Sequence, residues 1–138
     1  AQVLDMVLNV SRLKSGDHDS VRNDIAEVVK ATPNVEHKVI LETCYLTQQE
    51  KRTACDLVIE AGADYVKTST GFGAAGATVE DVRLLKETVA GRVKVKASGG
   101  IRDWKTTLAM LEAGADRIGT SASLKILDEW RTAIHKRA

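Results

Sequence analysis

The chain has 138 residues, and its 20 lysine and arginine residues against 19 aspartate and glutamate residues give a formal net charge of +1 at pH 7. A nearly neutral chain offers no broad cationic surface, so we expect no binding to nucleic acid. No apolar run approaches the roughly 20 residues that span a bilayer, and the first residues show no basic-then-apolar signal pattern. These features predict a soluble, cytoplasmic protein without a membrane partner. Because the chain opens at Ala1 without an initiator methionine, we also expect it to be part of something longer.

Short segments rich in valine and isoleucine alternate along the chain with longer segments whose apolar residues recur at helical spacing. The alternation predicts five βα units and a parallel sheet, within a single α/β domain that spans residues 1–138. We predict strands at residues 3–10, 37–43, 64–69, 93–98 and 116–121, and helices at residues 19–31, 48–61, 79–90, 104–113 and 124–136.

Local signals at the helix ends agree with these boundaries. Thr47 and Glu50 have the spacing of a capping box, and Thr78 stands where an N-cap hydroxyl is expected. Gly62 and Gly114 follow the ends of two helices, where a left-handed closing residue favours glycine.

A ten-residue segment occurs twice. Residues 60–69 and residues 112–121 share the pattern Glu-Ala-Gly-Ala-Asp, followed by a predicted strand that ends in Thr-Ser. Generic helix-to-strand loop chemistry and duplication of an ancestral unit both explain this repeat. Both explanations support a repeated βα architecture.

The length of the units leaves two architectures open. Five units average about 28 residues, which suits a TIM (β/α)8 barrel, whose eight units would need roughly 220 residues. The chain would then form a partial barrel of five units out of eight. A complete five-unit domain would instead form an open doubly wound sheet of the flavodoxin-like kind.

Two lysines stand near the carboxyl ends of neighbouring predicted strands, where both architectures place an active site. Lys67 and Lys96 would face one pocket, and repulsion between two ammonium groups lowers the pKa of one of them. An amine with a lowered pKa can attack a carbonyl carbon and form an imine. The lysines could also be solvated charges or ion-pair partners. Lys94 shares a face with Lys96 but stands at the start of its strand, so we discount it.

Asp5 lies inside an apolar predicted strand, where a carboxylate must be paired or protonated. Near a lysine pair it could shuttle protons. It could equally be an ion-pair partner that only holds a lysine in place.

Glycines and small polar residues follow several predicted strands. Gly71, Gly99 and Gly100 come after strands, and Ser121 lies between the last strand and the last helix. Exposed backbone N–H groups and a helix N-terminus at such positions can bind a phosphate, although Gly99 and Gly100 alone indicate only a turn. The three histidines and two cysteines fit no metal-binding spacing, so we expect no metal site and reduced thiols.

Five segments in succession closely resemble motifs of the deoxyribose-phosphate aldolase family. They are Val3-Leu4-Asp5-Met6-Val7, Lys38-Val39-Ile40-Leu41-Glu42-Thr43, Val66-Lys67-Thr68-Ser69-Thr70-Gly71, Val95-Lys96-Ala97-Ser98-Gly99-Gly100-Ile101-Arg102 and Arg117-Ile118-Gly119-Thr120-Ser121. The resemblance covers nearly the whole chain, in order.

The resemblance implies a class I aldolase on a (βα)8 barrel. That family cleaves 2-deoxy-D-ribose 5-phosphate reversibly to D-glyceraldehyde 3-phosphate and acetaldehyde through a Schiff base, without a metal or other cofactor, in deoxyribonucleotide catabolism. By resemblance, Lys67 forms the Schiff base, Lys96 perturbs it and Asp5 relays protons. The implied positions near substrate or phosphate are Thr70, Gly71, Gly99, Gly100 and Ser121. Ala122 stands where some members carry a second serine, which puts one phosphate contact in doubt.

The larger departure from the family is the part of the barrel that is absent. Its five strands correspond to the fourth to eighth strands of the family barrel, and nothing in the chain matches the first three. We therefore expect exposed edges at strands 3–10 and 116–121, with apolar barrel-facing side chains uncovered. This expectation favours a homo-oligomer or a complementing segment that carries the first three units. The alternative function is a non-catalytic or self-associating βα domain whose lysines are remnants.

Overall fold

Five parallel strands lie side by side in the order in which they occur along the chain. The computed structural model describes residues 2–137, which contain five strands, six α-helices and a short 3-10 helix at Thr43–Tyr45. The strands are β1 (Val3–Val7), β2 (Glu36–Ile40), β3 (Tyr65–Lys67), β4 (Lys94–Ser98) and β5 (Arg117–Gly119). The helices are α1 (Val10–Lys14), α2 (His18–Ala31), α3 (Gln48–Ala61), α4 (Val79–Val89), α5 (Trp104–Ala113) and α6 (Ser123–Arg137).

The strand order decides between the two predicted architectures. Each strand pairs in parallel with the next one along the chain, giving the order β1-β2-β3-β4-β5. A doubly wound sheet would reverse direction at a switch point and place later strands on both sides of the first. The open doubly wound alternative is therefore wrong, and the predicted partial barrel is confirmed. Within residues 2–137 the sheet does not close, because β1 pairs only with β2 and β5 pairs only with β4.

The helices cover one face of the sheet, and the apolar core lies between the two layers. Val39, Val66 and Val95 occupy the same register across the three central strands and are fully buried. Side chains at helical spacing pack onto them, which is the pattern that predicted the helices. The fully buried helix residues of this core are Val21, Ile25, Ala54, Cys55, Val58, Val82, Leu85 and Val89.

The opposite face of the sheet carries charges near the amino ends of the strands. The Tyr65 ring centre lies 5.1 Å from Lys38 Nζ, 5.8 Å from Lys94 Nζ and 5.2 Å from Arg117 Cζ. Arg117 of β5 also donates to Glu36 of β2 at 3.3 Å, although two strands separate them. The sheet must curl to allow this contact, as in a barrel wall. This part of the barrel-facing surface is therefore charged, and the uncovered apolar side chains that we expected at the edge of the sheet lie on β1.

Exposed apolar side chains are instead found at the edge strand and on the last helix. Val3 is 42% exposed and Val7 is 54% exposed, both on the same side of β1 as Asp5. On α6, Leu124 and Trp130 are also exposed. Such side chains on an edge strand are the surface that a further strand would cover.

Two predicted strands end earlier than expected, for different local reasons. Residues 3–10 were predicted as a strand, but Asn9 accepts a hydrogen bond from Arg12 N at 3.1 Å and caps α1, a helix the pattern did not predict. The strand predicted at residues 37–43 stops at Ile40, because Glu42 adopts a left-handed conformation with φ of 52°. The strands predicted at residues 64–69 and 116–121 each lose one residue at the start and two at the end, and the strand predicted at residues 93–98 loses one at the start. The helix bounds agree within one residue.

The predicted helix caps are confirmed. Thr47 and Glu50 form a reciprocal capping box at the start of α3, and Thr78 accepts from Asp81 N at the start of α4. Gly62 and Gly114 close α3 and α5 with φ of 88° and 117°, in the region that favours glycine.

The repeated segments perform the same structural task. Asp64 accepts a hydrogen bond from His37 N of β2 at 2.8 Å, and Asp116 accepts one from Val95 N of β4 at 2.9 Å. Each aspartate ties the start of its own strand to the preceding strand. The repeat therefore corresponds to equivalent helix-to-strand loops.

Two further properties of the described residues concern membrane-spanning helices and cysteines. Among them, no helix combines the length and the apolar character that crossing a membrane requires. Cys44 and Cys55 are both free thiols, and burial raises the pKa of Cys55 to about 12.

Candidate active site

Lys67 and Lys96 are direct neighbours across two strands. They are register partners at the carboxyl ends of β3 and β4, and the parallel pleat directs them to the same face of the sheet. This is the juxtaposition that the spacing of the two lysine motifs predicted.

Asp5 joins this pair from a third strand. Lys67 Nζ donates to Asp5 Oδ2 at 2.8 Å, and the side chains are only 13% and 32% exposed. Burial by itself raises the pKa of Asp5, but the hydrogen bond and charge of Lys67, with the charges of Lys96 and Lys38, bring it below its usual range. Asp5 is therefore a charged partner of Lys67 at neutral pH.

Lys96 has a pKa below its usual range. Burial lowers its pKa, the charge of Lys67 lowers it further, and only the Asp5 carboxylate opposes this effect. Its chain lies against Gly119 of β5, where an added Cβ would approach Lys96 Cε to 3.0 Å. A glycine at this position makes room for Lys96, and Asp5 gives Lys67 a counter-ion.

Buried hydroxyls fasten the two lysine strands together just beyond the lysines. Thr68 Oγ1 donates to Ser98 O at 2.9 Å, and Ser98 Oγ donates to Ser69 O at 2.7 Å. Thr68 and Ser69 are fully buried. These residues stand within the two lysine motifs, but the sequence pattern alone indicated no role for them. The available signal was a small hydroxyl residue following each lysine within two positions.

A cleft of about 390 Å³ opens at the carboxyl ends of β3, β4 and β5. It contains Lys67 and every residue predicted to lie near substrate or phosphate, whereas Asp5 and Lys96 are not part of its lining. The lining residues are Lys67, Thr70, Gly71, Phe72, Ser98, Gly99, Gly100, Ile101, Arg102, Gly119, Thr120 and Ser121.

The loop after β3 crosses the loop after β4 at two glycines. An added Cβ on Gly76 would lie 2.2 Å from Gly99 O, so only glycine fits there. The crossing is held by Ala77 N, which donates to Gly99 O at 3.0 Å. Gly99 and Gly100 have φ of 92° and 75°, which turns the backbone sharply over the cleft. Sequence analysis did not single out Gly76.

Around Ser121 the cleft combines a serine, a helix start and an arginine. Thr120 Oγ1 donates to Ile101 O at 2.6 Å and accepts from Ala122 N at 3.0 Å, which fixes the backbone beside Ser121. The helix α6 begins directly after it, and N–H groups in a first helical turn lack intrahelical acceptors. Arg102, which sequence analysis did not select, adds a cation to the lining.

Other candidates lie outside this cleft. Lys94 lies over the Tyr65 ring, one layer below Lys96, so the structure separates it from Lys67 and Asp5. In the part of the chain that the structure describes, no group of three or more histidine, cysteine, aspartate or glutamate side chains could hold a metal ion.

Comparison with known proteins places this arrangement in a family. The sequence profile of the DeoC/LacD family aldolases matches residues 1–129. A curated deoxyribose-phosphate aldolase from Caldanaerobacter subterraneus subsp. tengcongensis is 58% identical over 134 residues. That alignment covers 95% of this chain but 58% of the relative, so the chain spans about three fifths of the relative's length.

Solved structures agree with the sequence comparison. An aldolase designated QR15 superposes with a TM-score of 0.92 at 51% identity, covering 97% of this chain and 61% of the other. A deoxyribose phosphate aldolase from Aeropyrum pernix, described as tetrameric, superposes with a TM-score of 0.88 at 33% identity. That match covers 96% of this chain and 56% of the other.

Proposed function

This chain belongs to the DeoC/LacD family of aldolases, and from that premise we propose that its cleft performs class I aldol chemistry on a deoxy sugar phosphate. The reaction is the reversible cleavage of 2-deoxy-D-ribose 5-phosphate to D-glyceraldehyde 3-phosphate and acetaldehyde. The observation that carries the proposal is the Lys67 amine at the cleft, with Lys96 beside it and Asp5 bonded to it.

In this proposal Lys67 is the nucleophile. Its nitrogen bonds to the aldehyde carbon of the substrate, the carbonyl oxygen leaves as water, and a protonated imine results. The imine accepts the electron pair of the bond between substrate carbons 2 and 3. Carbon 3 becomes the aldehyde of the three-carbon product as its hydroxyl loses a proton. The enamine left on Lys67 is then protonated at carbon 2 and hydrolysed to acetaldehyde.

Lys96 and Asp5 would accept and donate protons during the reaction, and Asp5 would balance the charge of Lys67. Lys67 must lose a proton before it can attack, and Lys96, with its lowered pKa, is more easily found as the neutral amine that receives one. Lys96 is for the same reason the natural competitor for the imine. We assign the imine to Lys67 because Lys67 lines the cleft and Lys96 does not.

The rest of the cleft would bind the substrate. Gly99, Gly100 and Ser121, with the start of α6 and the Arg102 guanidinium, offer N–H, hydroxyl and cationic groups to a phosphate. Thr70 and Gly71 lie next to Lys67 and would contact the sugar.

Trapping with borohydride tests the assignment. With acetaldehyde, hydride reduction of the imine leaves a stable ethyl group on the reacting amine, and peptide mass spectrometry locates it. We expect the adduct on the peptide that contains Lys67 and its loss in Lys67→Arg. Lys94→Arg is the matched control, because Lys94 lies over Tyr65 outside the cleft. An adduct confined to Lys96 would overturn the assignment, and no adduct would favour a non-catalytic βα domain.

The partners proposed for this chain follow from its open sheet. It covers about three fifths of the relatives' length, so we propose that the complete activity belongs to an assembly with a closed barrel wall. Further copies of the chain, or a segment carrying the first three βα units, would supply that wall. We also propose that the chain acts as one domain, in the cytoplasm, without a cofactor.

A further inference from the structure

Glu42 holds an unusual backbone conformation directly beside the Lys67 strand. Its φ of 52° and ψ of 65° lie in the left-handed region, which a side chain with a Cβ rarely adopts. Its neighbours continue the pairing with the lysine strand, because Leu41 N donates to Lys67 O at 2.9 Å and Thr43 N donates to Thr68 O at 3.0 Å. The backbone therefore turns locally at Glu42, while the residues before and after it stay hydrogen-bonded to the end of β3 and to the residue that follows it. Strain of this kind concentrates at functional sites.

The Glu42 side chain is buried and is directed at one residue. The residue is 6% exposed, and its carboxylate accepts from Thr70 N at 3.2 Å and from Thr70 Oγ1 at 2.6 Å. Gly73 closes over it, since an added Cβ there would lie 2.9 Å from Glu42 Oε1. Glu42 does not line the cleft, whereas Thr70 does. Thr70 is therefore the hydrogen-bond link between the Glu42 carboxylate and the lining of the cleft.

These contacts determine what the Thr70 hydroxyl can offer. A carboxylate only accepts, so the hydroxyl proton of Thr70 is committed to Glu42 Oε2. The same hydroxyl accepts from Phe72 N at 3.0 Å, which fixes the turn that follows. One acceptor position remains for a donor in the cleft.

We propose that Glu42 is a positioning residue that orients Thr70 and the 70–72 turn beside Lys67, and so governs binding of the hydroxylated part of the substrate without affecting imine formation itself. The proposal rests on the proposed function for its substrate. The contacts from Glu42 to Thr70 do not depend on it.

Two variants change the contact between Glu42 and Thr70, one at each residue. Glu42→Gln keeps the shape but replaces one acceptor oxygen with a donor, so the Thr70 proton loses its fixed partner. Thr70→Val removes the hydroxyl and leaves the strained backbone of Glu42 untouched. Two controls match them. Glu36→Gln makes the same chemical change on β2 outside the cleft, and Ala90→Gly relaxes the other non-glycine residue with positive φ, at the end of α4.

The first readout separates sugar binding from imine chemistry. The readout compares Glu42→Gln and Thr70→Val with the unchanged chain. With acetaldehyde, which has no hydroxyl, we expect borohydride to trap Glu42→Gln within about twofold of the unchanged chain. With 2-deoxy-D-ribose 5-phosphate we expect trapping to fall about tenfold in each, because a hydrogen-bonding site discriminates by its placed groups. The double variant should be no worse than either single variant, since both changes remove one interaction. Equal losses with both compounds would overturn the proposal.

The second readout needs no activity. Amide hydrogen exchange at Thr70 should be about tenfold faster in Glu42→Gln and unchanged in Glu36→Gln and Ala90→Gly. Unchanged exchange at Thr70 in a folded Glu42→Gln would refute the positioning role. If exchange responds but the unchanged chain traps no carbonyl compound, the proposed function fails and the positioning role stands.

Discussion

Asp5 of β1 and Lys67 of β3 form an ion pair of 2.8 Å across an intervening strand. The residues lie 62 positions apart, and β2 runs between their strands. A flat sheet would hold strands β1 and β3 about 10 Å apart, so the curvature of the barrel wall brings the two side chains together. The curved sheet therefore gives Lys67 its counter-ion.

Removing the Asp5 charge should slow imine formation. Asp5→Asn preserves the side-chain shape and takes away the carboxylate that holds Lys67 and that opposes the lowering of the Lys96 pKa. We expect borohydride trapping of acetaldehyde to slow about a hundredfold, in the range of lost acid-base assistance, and the pKa of Lys96 to fall further. Asp24→Asn, on the exposed face of α2, is the control. Trapping at an unchanged rate would show that Asp5 only fills space.

The same carboxylate should contribute to the pH dependence of stability. The pKa of Asp5 is lowered in the folded chain, so its ionised form stabilises the fold at pH values above its unfolded pKa of about 3.9. That contribution is lost as the pH falls through the lower folded pKa. The unfolding free energies of the unchanged chain and Asp5→Asn, measured in urea, should therefore differ at pH 6 and converge as the pH falls below about 4. A difference independent of pH would contradict this assignment.

Replacing only one partner of the buried ion pair between α3 and α4 should destabilise the chain. Lys51 Nζ donates to Asp81 Oδ1, and each side chain is 10% exposed. Lys51→Met should destabilise the chain by about 3 kcal/mol, because it leaves Asp81 buried without a partner. The double variant Lys51→Met with Asp81→Leu should recover most of that loss, since no charge then stays buried. Thermal unfolding of both variants measures this. A single variant as stable as the unchanged chain would show that water reaches the pair.

The crossing of the two glycine loops should tolerate no side chain. In Gly76→Ala the added carbon would meet the Gly99 carbonyl at 2.2 Å, a backbone atom that cannot move without shifting the cleft. We expect the free energy of unfolding to fall by about 1 to 3 kcal/mol. We also expect inorganic phosphate to protect Lys67 less well from trapping by acetaldehyde and borohydride. Gly91→Ala is a contrasting variant, because its cost comes from a positive φ of 79° and not from a close approach, since nothing lies within 4 Å. A Gly76→Ala chain that is as stable as the unchanged chain and as well protected by phosphate would show that the close approach is unimportant.

The open edges of the sheet should make the isolated chain self-associate. In the described residues β1 and β5 each pair on one side only, and Val3 and Val7 are exposed on β1. We expect dimers or larger species by sedimentation velocity, and slow cleavage of 2-deoxy-D-ribose 5-phosphate because water reaches the lysine pair. Adding a separately made segment with the first three units of a relative should raise the rate. A monodisperse monomer with the turnover of a complete relative would refute this prediction.

The βα alternation, the helix caps and the lysine spacing were readable from the sequence because each depends on local energetics. Apolar periodicity reports which face is buried, and caps such as Thr47 with Glu50 satisfy N–H groups within one turn. The pairing of Lys67 with Lys96 followed from their equivalent places in successive units. The short helix α1 was missed because Asn9, its cap, also fits the end of an alternating strand.

Other features depend on contacts between distant segments, so only the tertiary structure decided them. The length of the βα units suits both a barrel and a doubly wound sheet, so the sequence could not distinguish them. The observed strand order excluded the doubly wound sheet. Curvature brought Asp5 to Lys67 and Arg117 to Glu36, and neither contact has a local signature. The left-handed turn at Glu42 is stabilised by partners on the next strand, whose distance along the chain hides them from any local pattern. Burial and neighbouring charge set the proton affinity of Lys96, and both are properties of the assembled sheet.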